Sequence, residues 1–142
     1  MKTISIILAL ALVAAVAGLF YLGHLSRQGQ APGLVSGRLA DCPESPNCVS
    51  SENGTPSDQS VDPLPVQAWP QLPGAVETLG GTVTTQEPGY ISAEFTSSLF
   101  KFTDDIEFRL TDDAIHVRSA SRVGHSDLGA NQKRVEALRE KL

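Results

Sequence analysis

The sequence predicts a small α+β domain, a four-stranded antiparallel sheet with two helices packed on one face, preceded by one N-terminal transmembrane helix. Three observations predict it. Residues 4–22, ISIILALALVAAVAGLFYL, carry no charged side chain. Residues 82–123 hold four strand-like runs grouped as two hairpins, the second with the clear two-residue alternation of strands. Apolar residues at helical spacing flank them, Leu72, Val76 and Leu79 before and Val135, Leu138 and Leu142 after. Strands bracketed by helices pack as a sheet with helices on one side.

The apolar segment comes first. A helix of its 19 residues rises roughly 28 Å, close to the hydrocarbon thickness of a bilayer. Tyr21, His24 and Arg27 stand at its far end, where interfacial residues belong. Ala15-Val16-Ala17 offers a rival reading as a signal-peptidase site. The apolar run continues past it to Leu22, which favours an uncleaved signal anchor over residues 1–27. Lys2 and the amino terminus oppose only Arg27 and Arg38, so the charge bias for an inward N-terminus is slight.

Residues 28–66 are rich in Pro, Ser, Gly and Asn and show no period. They read as a linker or wrapping arm. Cys42 and Cys48, the two cysteines of the chain, lie within it in DCPESPNCVSS. In an oxidising compartment they would close a small disulfide loop, worth roughly 2–2.5 kcal/mol in the chain-entropy model. Inert thiols and a metal or redox pair are the rivals, but no further ligand is near and the spacing is not CxxC. A disulfide would put the head on the outer side of the membrane.

The folded domain spans 67–142. A helix over about residues 70–79 is stopped by Gly80-Gly81. Strands follow at Thr82–Gln86 and Tyr90–Thr96, then at Asp105–Leu110 and Ala114–Val123. Pro88-Gly89 suits a loop longer than two residues. In the second hairpin a two-residue turn at Asp112-Asp113 sets Phe108 opposite Val117 and Leu110 opposite Ile115. It also sets Glu107 opposite Arg118 and Arg109 opposite His116, on a face expected to meet solvent. The last helix runs from about Asn131, as N-cap, to Leu142.

Four motifs, CPESPNCVSS, the Trp69 region, YISAEFTSSLFKFTDDIEF and RSASRVGHSDLGANQKRVEALR, resemble the bacterial and plastid family catalogued as domain of unknown function 1499. The resemblance runs from about Gly37 to the C-terminus. It implies a single-domain, envelope-associated protein and supplies no reaction and no ligand.

The chain has a formal net charge of −5, which argues against a general nucleic-acid binder. No Lys or Arg occurs between Leu39 and Phe100, so the first part is acidic and the basic residues gather later. The densest cluster is RSASRVGHSDLGANQKR, residues 118–134. Cations where a helix begins oppose its dipole, unless an anion lies between them. The candidate anion site is Arg118, Ser119, Ser121, Arg122, Ser126, Asn131 and Arg134, for a phosphate, carboxylate or lipid or glycan head group. The alternative is internal: Asp127 and Glu136 pair with these cations and tie the last helix to the sheet. The acids Asp104, Asp105, Glu107, Asp112 and Asp113 lack the spacing of a calcium loop, and no metal or cofactor is expected. No nucleophile motif accompanies His116 or His125. The expected function is a membrane-anchored module of the bacterial inner membrane facing the periplasm. It would bind an envelope protein or an anionic ligand. The alternatives are an envelope hydrolase using His125, Asp127 and the serines, or a structural assembly subunit.

Overall fold

The computed structural model describes residues 2–142; Met1, where the expected anchor begins, lies outside them. Helix α1 (Lys2–Ser26) leads into a short hairpin of β1 (Leu34–Val35) and β2 (Arg38–Leu39). Strands β3 (Cys48–Ser50) and β4 (Leu64–Pro65) follow. A 3₁₀ segment, Val66–Gln71, turns the chain into α2 (Leu72–Thr78). Then come β5 (Thr82–Glu87), β6 (Tyr90–Thr96), β7 (Thr103–Leu110), β8 (Ala114–Ser121) and α3 (Ala130–Lys141). The α+β class and the apolar leading helix are as expected.

The strand count is not. The main sheet has six strands rather than four, in the order β3-β8-β7-β6-β5 with β4 also on β8. The two extra strands come from the proline-rich segment 28–66, where no alternation announces them. They share one edge of β8: β3 covers Arg118 to Ala120, β4 covers Ala114 and Ile115. Ser51 closes the gap, its N–H donating to the Val117 carbonyl (2.9 Å) while its Oγ accepts from the Val117 N–H (2.8 Å). This leaves few free edge groups on β8 for another chain to pair with.

The β7–β8 register is the expected one, with Phe108 on Val117, Leu110 on Ile115, Glu107 on Arg118 and Arg109 on His116. The first hairpin is tighter than the Pro-Gly pair suggests. Glu87 pairs with Tyr90, Gly89 takes φ 77°, and a bulge between Val83 and Thr85 adjusts the register.

One sheet face is apolar. Ile91, Ala93, Ile106, Phe108, Ile115 and Val117 pack against Leu72, Ala75 and Val76 of α2 and Val135 and Leu138 of α3. Each large side chain buried there contributes about 1.5–3 kcal/mol, and this core fixes the hairpin register. The opposite face carries Tyr90, Ser92, Glu94, Asp105, Glu107, Arg109, His116 and Arg118 by strand parity. It is not the solvent face that alternation suggests. Glu107 is 0% exposed, and Asp105, Arg118 and Ser92 are buried too. Part of its cover comes from the chain between α1 and β4: Leu39 and Glu52 are themselves buried, and the Gly33 N–H donates to Glu107 Oε1 (2.9 Å).

Candidate functional site

The covered polar face meets the end of α1, and this junction is the most constructed part of the molecule. Among the residues of α1, Gly23 and Ser26 are the buried ones. The Ser26 Oγ donates to the Gly23 carbonyl (2.9 Å) and accepts from the Thr103 N–H (3.0 Å) at the start of β7. Phe20, about one turn before Gly23, meets the Phe100 ring edge-on at 5.2 Å. Gly23 is needed for this approach, because a Cβ there would lie 1.7 Å from the Phe100 carbonyl oxygen. Gly23→Ala therefore forces α1 away from the loop joining β6 and β7. The expected outcome is faster amide exchange at Thr103, with the sheet core unchanged, measured by hydrogen–deuterium exchange.

Arg122 completes the junction. Its Nη1 donates to the Ser26 carbonyl at the C-terminus of α1 (3.1 Å), where a helix carries partial negative charge. Its Nε and Nη2 grip both oxygens of Asp105 (2.8 and 2.6 Å), and Nη2 also reaches Glu94. Glu94 sits directly opposite Asp105 in the β6–β7 register. Two carboxylates in that relation repel, so one guanidinium serves two acids and a helix end together. Bonds to Asp105, set against the cost of burial, hold the guanidinium protonated beyond the usual arginine range.

Two further ion pairs fill the face. Arg118 Nη1 donates to Glu107 Oε2 (3.2 Å), and the Tyr90 hydroxyl donates to Glu107 Oε1 (2.8 Å). Burial pushes the Glu107 carboxyl up despite these donors. Burial, joined by the Glu107 charge, also pushes the Tyr90 phenol well above its ordinary value. Arg109 forks onto Glu52 (2.7 and 2.9 Å), which also accepts from the Leu39 N–H (3.1 Å) and Arg38 (3.2 Å). Burial works to raise the Glu52 carboxyl, but the Arg109 and Leu39 bonds outweigh it and hold it at about 2.

The seven residues read from the 118–134 stretch do not form one cluster. Strand alternation divides them. Arg118 and Arg122 lie on the polar face. Ser119, Ser121, Asn131 and Arg134 gather on the other side, beneath α3. There the Ser119 Oγ donates to Asn131 Oδ1 (2.6 Å) and Asn131 Nδ2 reaches the Ser121 Oγ (3.1 Å). Arg134 pairs with Asp104 (2.7 Å) and lies 4.7 Å over the Phe95 ring. Ser126 is exposed and accepts from the Leu128 N–H (3.3 Å).

Asn131 is not the N-cap. Gly129 holds that position at φ 77°, and the Asp127 carboxylate accepts from the Gly129 and Asn131 N–H groups (3.0 and 2.8 Å). Asp127 is thus occupied at the helix end, and Glu136 accepts from Gln132 (3.0 Å). The arginines take their acids from β6 and β7: Glu94, Asp104, Asp105 and Glu107. Glu107 opposite Arg118 was readable from the hairpin register. Gly23, Ser26 and Glu52 carried no local signal, since their partners are distant in sequence.

Ser51, Glu52 and His116 lie together, but not as a nucleophile relay. The same His116 Nδ1 faces the Ser51 carbonyl (3.1 Å), the Ser51 Oγ (3.4 Å) and Glu52 (4.0 Å). A relay needs one ring nitrogen on the hydroxyl and the other on the acid. His125 is exposed in the loop before α3. The Cys42 and Cys48 sulfurs are at disulfide distance, 2.00 Å, with no other cysteine in the chain. That pair suggests an oxidising compartment. Among the described residues, α1 is the one helix long and apolar enough to cross a membrane.

A family model described as a protein of unknown function (DUF1499) matches residues 38–142, from β2 to the C-terminus. The chain belongs to that family. The match takes in the covering segment from Arg38 onward, the whole six-stranded sheet and α3, so the polar-face ion pairs fall inside the family region while α1 and Gly33 precede it. Neither the curated proteins nor the solved structures contain a match.

Proposed function

We propose that the protein is a single-pass module of the bacterial inner membrane, with α1 as an uncleaved signal anchor and the head on the periplasmic side, working by binding an envelope protein rather than by catalysis. The observation that carries this reading is the Arg122 clamp. It ties the C-terminal carbonyl of an apolar helix to two acids of the head sheet. A head fixed to its span presents surfaces at a set height and angle above the bilayer, which serves a docking module. The disulfide-distance cysteines favour the outer side. The 118–134 cations favour a protein partner over a small anion, because Arg118, Arg122 and Arg134 each already hold a carboxylate of the chain. An anion would have to displace one.

The test is protease added to spheroplasts. The head is expected to be digested there and spared in intact cells, while an N-terminal fragment of unprocessed mass stays with the membrane after carbonate washing. Titration with inorganic phosphate is expected to give no heat of binding. A head protected in spheroplasts, or a mature chain beginning at Gly18, overturns the reading.

A further inference from the structure

We propose that the loop between β6 and β7, residues 97–102, is a second membrane contact, its tip at Leu99 and Phe100 lying in the lipid at the edge of the bilayer beside α1. The inference rests on α1 being a bilayer span. Its first support is depth. Phe100 packs on Phe20, and the Phe100 carbonyl abuts Gly23. Phe20 precedes Ser26 by six residues, so the loop descends about 9 Å along the helix from its C-terminus. The uncharged run of α1 continues to Leu22. Phe20 therefore sits about 3 Å inside the apolar end of the span, and the Phe100 ring packs on it at that level.

The second support is chemistry at that level. Leu99, the neighbour of Phe100 in the chain, is 64% exposed. Phe102 meets Phe100 edge-on at 6.3 Å, which makes a short aromatic ladder from Phe20 into the head. Aromatic rings are enriched at this depth of a membrane. Lys101 follows the tip and is exposed. Its long side chain can keep its ammonium among the head groups while the stem lies on apolar surface. Ser97, Ser98 and Thr96 complete a polar rim. Lipid is the occupant because Phe100 packs on Phe20, within the exposed apolar run of α1 that faces lipid when the helix spans a bilayer.

The loop and the span together make two points of attachment, which fixes the tilt of the head as well as its height. Hydrogen bonds behind the loop hold it there: the N–H of Thr103, the first residue of β7, donates to the Ser26 Oγ (3.0 Å), and the Arg122 backbone N–H lies near the Thr103 carbonyl (3.5 Å).

The experiment is fluorescence quenching in nanodiscs. Full-length Leu99→Trp, Leu22→Trp and Leu12→Trp proteins are reconstituted in phospholipid brominated near the head-group end of the acyl chain, or near its middle. The native protein, whose single tryptophan is Trp69, supplies the blank. Leu99 is exposed, so the replacement leaves the fold intact. The expected result is that the indole of Leu99→Trp is quenched by the shallow bromines as strongly as that of Leu22→Trp, and the indole of Leu12→Trp by the deep ones. If Leu12→Trp is quenched and Leu99→Trp is not, the span stands and the loop contact is overturned. If the Leu99→Trp indole is shielded from both bromines and aqueous iodide, a protein covers the tip and the lipid assignment fails. If no introduced tryptophan is quenched, the span itself is absent and the loop contact falls with it.

Discussion

Arg122→Ala is expected to lower the unfolding free energy of the head by about 3–5 kcal/mol, the cost of removing one partner of a buried ion pair. The Arg122 side chain is 7% exposed and Asp105 is 5% exposed. Without the guanidinium, Asp105 and Glu94 face each other across β6 and β7 as two uncompensated negative charges, and the last carbonyl of α1 loses its donor. The measurement is urea unfolding of the full chain in a neutral detergent, read by Trp69 fluorescence. The paired change, Arg122→Ala with Asp105→Ala, is expected to be less destabilised than the single change, since the stranded acid is then gone. Additive losses would show that Arg122 and Asp105 are not energetically coupled. Arg122→Lys is expected to recover little, because an ammonium cannot fork onto Asp105 while also meeting Glu94 and the helix end.

The same residue shows how far the sequence can be read. The 118–134 stretch poses the right question, since its cations need anions. It does not reveal which anions, because those stand on strands 17 and 28 residues away. The β7–β8 register is legible from strict alternation, and it alone sets Glu107 against Arg118. Alternation also implies that the Glu107 face meets water, and here local pattern fails for a physical reason. The cover is an irregular segment held to the sheet by scattered polar bonds, such as Gly33 to Glu107 and the Arg109 fork onto Glu52. Such bonds have no period to detect. β3 and β4 are invisible for the same cause: two or three residues each, they are strands only because β8 offers them an edge. Likewise the proposed anion residues look contiguous along the chain, yet the two-residue strand period sends Arg118 and Ser119 to opposite sides of the sheet.

Glu52 gives the clearest dependence on pH. Its carboxyl ordinarily titrates near 4.5 and is held at about 2 in the fold. A depressed carboxyl stabilises the folded state most above its unfolded value, because the unfolded chain takes up the proton first as pH falls. The contribution is therefore complete above about pH 4.5 and is lost as pH falls from there through about 2. By linkage it is on the order of 3 kcal/mol, and the residue is buried enough, at 5% exposed, for that conversion to hold in order of magnitude. Buried Glu107 works in the opposite sense, since its raised carboxyl binds a proton more readily folded than unfolded. A single pH profile mixes the two. The difference between the native protein and Glu52→Gln removes the Glu107 part, which both share. The glutamine variant is expected to be the less stable at pH 7, with Arg109 left without its carboxylate, and the gap between the two unfolding curves should close as pH approaches 2. Curves that stay parallel from pH 6 to 2 would mean that Glu52 titrates alike folded and unfolded, and that the Arg109 fork does not hold the covering segment onto the sheet.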